Sequence, residues 1–161
     1  MKNLQDLLVH EIKDLYSAET QLVEALPKMA KAATHPDLKA AFQSHLEETK
    51  MQLTRLEKVA EILGITPRSQ EKCQGMKGLI EEGSRMIEED ADDEVKDAGL
   101  IGAAQRVEHY EIAGYGTASY FAQMLGNSEV ADLLDQTLNE EKAADEKLNV
   151  IAKNKINELA L

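Results

Sequence analysis

Apolar residues return along this chain at alternating steps of four and three, the spacing that lays them on one side of an α-helix. From about residue 4 to 33, Leu8, Ile12, Leu15, Leu22, Leu26 and Met29 form such a seam. Pro27 lies within it and predicts a bend, because proline removes a backbone donor and crowds the carbonyl one turn earlier. Thr34-His35-Pro36-Asp37 separates this helix from the next, with proline suited to a first helical turn. The second helix, about 37–63, carries Leu38, Phe42, His45, Thr49, Gln52, Leu56, Val59 and Leu63 on its seam and stops at Gly64.

Residues 65 to about 93 break the rhythm. Ile65-Thr66-Pro67 is a loop, and the weaker pattern Met76, Leu79, Ile80, Met86 and Ile87 predicts a shorter helix at about 73–89. The acidic run from Glu88 to Glu94 reads as a solvated turn leading into a helix N-terminus, where the macrodipole favours negative charge. It lacks the glycine and the ligand spacing of a calcium loop. A third long helix, about 94–125, has the seam Ile101, Ala104, Glu108, Glu111, Tyr115, Ala118, Ala122 and Leu125. Gly114 and Gly116 weaken it by about 1 kcal/mol each relative to alanine, which points to close approach of a neighbour. Gly126-Asn127-Ser128 ends that helix and caps a fourth, about 128–153, with the seam Leu134, Leu138, Glu141, Asp145, Leu148 and Ala152. Residues 153–161 show no readable pattern.

Two helix pairs with short connections, joined by one long crossover, have the connectivity of a ferritin-like bundle. The expected fold is therefore all-α: an antiparallel four-helix bundle whose long crossover contains a shorter helix, in one domain over residues 1–161. Composition agrees, since three Pro and nine Gly among 161 residues leave long stretches free for helix.

Each long helix carries an acid in the middle of its apolar stripe: Glu19, Glu48, then Glu108 with Glu111, then Glu141. In an antiparallel pair, residues equally far from the turn lie at one height. Glu19 and Glu48 are about equally distant from the turn near residue 35, and Glu111 and Glu141 from that near 126. At about 1.5 Å of rise per residue, these four carboxylates share nearly one layer, with Glu108 and Asp145 about one turn off. A dry layer of acids costs several kcal/mol per ion in desolvation, and no Lys or Arg lies on the seams to neutralise it. The layer must be wet, protonated or occupied by cations. Divalent metals suit it best, as in two-metal carboxylate sites of helical bundles. The competing structural explanation, a polar layer that sets helix register, accounts for one such residue better than for four.

Charge and cysteine content narrow the function. A formal charge of −12 repels phosphate backbones and anionic lipid, so neither nucleic acid nor a membrane surface is an expected partner. No apolar run approaches the roughly 18 to 20 residues that span a bilayer, and the chain opens on an amphipathic segment, which together predict a cytoplasmic protein. Cys73 stands alone and reads as a buried small hydrophobe in a reducing compartment.

The phrases Tyr16-Ser17-Ala18-Glu19, His45-Leu46-Glu47-Glu48-Thr49, Gly78-Leu79-Ile80-Glu81-Glu82, Val107-Glu108-His109-Tyr110-Glu111-Ile112-Ala113 and Leu138-Asn139-Glu140-Glu141-Lys142 resemble the bacterial YciE/YciF stress-protein family, along nearly the whole chain. The resemblance implies a ferritin-like fold, a dinuclear metal centre similar to that of rubrerythrin, and a link to stress responses, without an established reaction. One departure concerns histidine. The general ferritin-like pattern sets His three residues after a bridging Glu, whereas position 51 is Met and position 144 is Ala; His45 instead precedes Glu48 by three.

An oxygen-rich site with little His favours iron, with manganese as the alternative, over zinc or copper. The expected metal ligands are Glu19, Glu111 (terminal), Glu48, Glu141 (bridging), Glu108 and His45. Gln52, Asp145, Tyr16 and Tyr115 are candidates for orienting them. Glu47, Glu140 and His109 fall beside the seams. The function expected is that of a di-iron stress protein, an oxidoreductase or peroxidase acting on peroxide or oxygen, or a protein that handles iron. The alternatives are an iron-storage subunit of a larger assembly and a metal-free helical interaction module. Extra apolar residues on the first helix (Leu4, Leu7, Val23) and on the crossover predict a homodimer.

Overall fold

The computed structural model describes every residue except Gln70. It consists of α1 (Leu4–Ala32), α2 (Pro36–Leu63), α3 (Gln74–Glu88), α4 (Asp93–Met124) and α5 (Ser128–Ile151), followed by a π-helical turn, Ala152–Ile156. The hydrophobic periodicity thus locates all five helices to within one or two residues. No helix among the described residues is long and apolar enough to cross a membrane.

The helix ends follow from local chemistry. The Asn3 side chain accepts the Asp6 amide at 2.8 Å and caps α1, and Asn127 does the same for α5 through Val130 at 3.2 Å. Pro36 occupies the first turn of α2, and His35 Nδ1 accepts the Asp37 amide at 3.2 Å. Gly64 terminates α2 with φ of 65°, a left-handed backbone that glycine adopts without a Cβ penalty. Pro27 faces solvent, and α1 continues through it.

Short connections force α1 against α2 and α4 against α5 as antiparallel pairs, and the pairs meet through α1 with α4 and α2 with α5. Gly114 permits part of this approach: a Cβ there would stand 2.9 Å from Leu15 Cδ2. Gly116 has only ordinary contact with Leu138. The crossover helix α3 lies over α1 and α4, burying Met76 and half-covering Leu79, Ile80, Met86 and Ile87. The apolar surplus of the crossover is thereby met largely within the chain.

Two features lie outside what the periodicity predicts. Residues 153–161, unreadable as sequence, continue from α5 through the π-helical turn: Ile156 is buried with Phe42, Leu100 and Ile151, and Lys155 pairs with Asp37. Asp97, buried on α4, accepts the amides of Thr34 at 2.9 Å and His35 at 2.7 Å and the Thr34 hydroxyl at 2.8 Å. This carboxylate straps the α1–α2 turn to α4, and its three donors compensate its desolvation.

The apolar interior is split. One cluster contains Leu22, Leu26, Leu38, Phe42, Ile101 and Leu148; the other contains Leu8, Ile12, Leu56, Tyr115, Val130 and Leu134. On every long helix the change from one cluster to the other falls where the seam turns polar.

Candidate metal centre

The polar layer between the two clusters is built from Glu19 on α1, His45, Thr49 and Gln52 on α2, Glu108 and Glu111 on α4 and Glu141 on α5, all buried. One ligand atom from each of His45, Glu108, Glu111 and Glu141 lies within 4.8 Å of the others. His45 Nε2 stands 3.2 Å from Glu108 Oε1 and 3.9 Å from Glu141 Oε2. Glu19 joins the layer from α1, receiving the Tyr115 hydroxyl hydrogen bond.

Unsatisfied polar atoms concentrate here. Among the described residues, the buried side-chain nitrogens and oxygens without a hydrogen-bond partner are Glu19 Oε2, both ring nitrogens of His45, Gln52 Oε1, Glu108 Oε2, both Glu111 oxygens and Glu141 Oε2. All belong to this one layer. Buried polar groups are ordinarily paired, so this concentration marks the layer as a candidate site for a metal ion.

Electrostatics agree. Burial pushes Glu19, Glu108 and Glu111 well above the ordinary glutamate range, and neighbouring carboxylates push the same way: Glu141 on all three, and Glu19 on both Glu108 and Glu111. Tyr115 is likewise raised by burial and by Glu19. Without cations, the layer therefore holds protons at pH values where exposed glutamates have lost them.

A rigid polar chain braces one side. Gln52 donates its amide hydrogens to Glu141 and, at 3.2 Å, to Glu140. Arg55 grips Glu140 through two bonds of 2.8 and 2.9 Å and also donates to Thr137 at 2.6 Å. Although no basic residue lies on a seam, Arg55 does act on the layer: its charge lowers Glu19, against the larger effect of burial. Arg55 and Glu140 each sit one position before a seam residue, Leu56 and Glu141, which is the signal that could have paired them.

The other sequence-derived candidates fall differently. Glu48 is outside the buried group, with its side chain 39% exposed and Oε2 at 3.6 Å from His45 Nδ1. Thr49 takes the inward position instead. Matched height did not suffice for Glu48, because adjacent residues on a helix are rotated by about 100°. Tyr16 is not at the layer; its hydroxyl donates to Glu57 at 3.0 Å. Tyr115 is at the layer. Asp145 accepts from Gln105 at 3.2 Å and faces His109 Nε2 at 3.2 Å, and its charge contributes to raising Glu108. Glu140, beside its seam, accepts from Gln52 and Arg55 at the edge of the layer.

Five helices, a long crossover and a central carboxylate layer define a ferritin-like bundle, and known structures agree. A Bacillus anthracis protein described as ferritin-like and diiron-carboxylate shares the fold with a TM-score of 0.72 at 17% identity, over 94% of this chain and 99% of that one. Sequence similarity is narrower: the chain belongs to the family described as Domain of unknown function (DUF892), which matches residues 3–161. It is 48% identical over 160 residues to Protein YciF of Escherichia coli (strain K12), covering 99% of this chain and 96% of that protein. The crystal structure of the E. coli stress protein YciF superposes with a TM-score of 0.94, at 47% identity, over 98% of this chain and 99% of that chain.

Proposed function

We propose that this chain is a stress-response protein that holds two iron ions in its buried carboxylate layer and uses them to react with hydrogen peroxide or oxygen. The observation that carries the proposal is the set of unpaired, buried oxygens and nitrogens from four helices. Four carboxylates, Glu19, Glu108, Glu111 and Glu141, would carry four negative charges when ionised, which two divalent ions cancel and one does not. Hard carboxylate oxygens with a single imidazole suit iron, and manganese is the nearest competitor. The similarity to a protein described as a stress protein supports the physiological setting.

Glu19, His45, Glu108, Glu111 and Glu141 would hold the ions. Bound iron would supply the electrons that reduce a small oxidant. The chain's own residues do the rest. Gln52, fixed through Glu140 by Arg55, orients Glu141; the Tyr115 hydroxyl orients Glu19. The apolar clusters close the layer along the bundle axis on either side. Protons held by Glu19, Glu108 and Glu111 leave when cations arrive.

Metal analysis of protein purified from cells grown with ordinary iron and manganese, combined with anomalous scattering at both edges, tests this. About two iron ions per chain are expected, as in other bundle sites of this kind, together with peroxide consumption by the iron form. A protein that binds no transition metal would remove the proposal.

A further inference from the structure

A pocket of about 170 Å³ opens between α2 and α5 beside the buried layer. Small side chains make room for it: Ala41 and Ser44 on α2, Ala143 and Ala144 on α5. Its lining runs from half-buried Glu48 and exposed Lys147 to buried His45 and Glu108. It has space for several waters, and it is polar enough at both ends to keep them.

His45 links the two ends. Its Nδ1 lies 3.6 Å from Glu48 Oε2 on the pocket side, and its Nε2 lies 3.2 Å from Glu108 Oε1 in the layer. Neither nitrogen has a hydrogen bond, although the residue is only 6% exposed. This buried imidazole faces the rim carboxylate of Glu48 with one nitrogen and, with the other, the buried cluster of Glu108, Glu111 and Glu141.

We propose that this pocket is the uptake route for divalent metal ions, and that Glu48 is a transit ligand on it, outside the resident set, which passes ions to His45, a member of that set. The route presupposes the metal centre proposed above. It explains why an acid at the correct height on α2 remains at the rim: there it meets an ion that is still partly hydrated. The net charge of −12 draws cations to the surface, and the gap between α2 and α5 gives them a passage inward. Alternative passage through the groove between α1, α3 and α4 is disfavoured by its lining, which is almost wholly apolar.

Stopped-flow uptake of cobalt(II) by the full-length metal-free protein, followed by visible absorption, tests the route. Glu48→Gln should load at least tenfold more slowly than wild type but reach the same number of ions per chain at saturation. Ala144→Leu, which narrows the passage without touching a ligand, should also slow loading. Glu47→Gln removes the same charge from an exposed residue paired with Lys50 at 2.7 Å, and should load like wild type. Wild-type rates in both Glu48→Gln and Ala144→Leu would overturn the route. So would fewer ions at saturation in Glu48→Gln, which would make Glu48 a resident ligand. A wild-type protein that takes up no cobalt would instead remove the metal centre itself, and the route with it.

Discussion

The hydroxyl of Tyr115 on α4 donates a hydrogen bond to the carboxylate of Glu19 on α1, with both residues fully buried. The bond crosses the bundle between its two helix pairs and supplies Glu19 with a partner from the apolar side of the layer. Tyr115→Phe keeps the ring and deletes the donor. A buried acceptor left without its donor costs about 1–3 kcal/mol, so the metal-free variant should lose stability of that order in urea denaturation, and its metal affinity should fall as Glu19 loses orientation.

Glu111 is the reverse case, a fully buried carboxyl with both oxygens unpaired. Glu111→Gln removes an acid from a crowded set without changing its volume much. The metal-free form should melt at the same temperature as wild type or higher at neutral pH, while metal-dependent stabilisation shrinks. Thermal melts of metal-free and metal-loaded forms side by side check this; a large loss in the metal-free form would make the layer a structural device instead.

The acid layer also sets the pH dependence. Glu19, Glu108 and Glu111 titrate above their ordinary value of 4.5 in the fold. Between that value and the raised ones, the folded chain binds more protons than the unfolded chain, so stability falls as pH rises. Their contribution is neutral below the ordinary range and unfavourable above it. Melting temperature measured against pH in the presence of chelator should therefore decline from mildly acidic to neutral pH, and added iron(II) or cobalt(II) should restore it by replacing the protons.

Arg55 and Glu140 should be energetically coupled. Their bidentate pair is largely shielded, with side-chain exposures of 12% and 26%, and it continues through Gln52 to Glu141. Arg55→Lys retains the charge but not the fork. It should cost about 1.5–3 kcal/mol, the range of a hydrogen bond to a charged group, and weaken metal binding. A double-mutant cycle with Glu140→Gln should show the two substitutions to be less than additive.

A two-fold dimer is expected in solution. Within one chain Leu4, Leu7 and Val23 remain only partly covered on α1, and Tyr120 and Met124 are more than 60% exposed on α4. Static light scattering at micromolar concentration should give twice the chain mass of 17.8 kDa; a single-chain mass would exclude the dimer.

The helices were legible in the residue pattern because their stripes repeat at helical spacing, and the central layer because acids interrupt those stripes at matched distances from the turns. Glu19, Glu108, Glu111, Glu141 and His45 could be read together since height along a helix depends only on position in the chain. That Thr49 faces inward and Glu48 lies beside it also follows from the seam of the second helix. Side-chain reach does not depend on position alone, and it decided that Tyr115 meets Glu19 while Tyr16 meets Glu57, and that Arg55 on α2 and Glu140 on α5 find each other. Asp97 and Ile156 continue the seams by one step of four, but the sequence does not name their partners: the turn after α1 for one, the apolar cluster with Phe42 and Leu100 for the other. A repeating pattern encodes which face of a helix is buried. Which atoms meet across the layer is encoded only in how four helices pack, since that alone brings residues tens of positions apart within bonding distance.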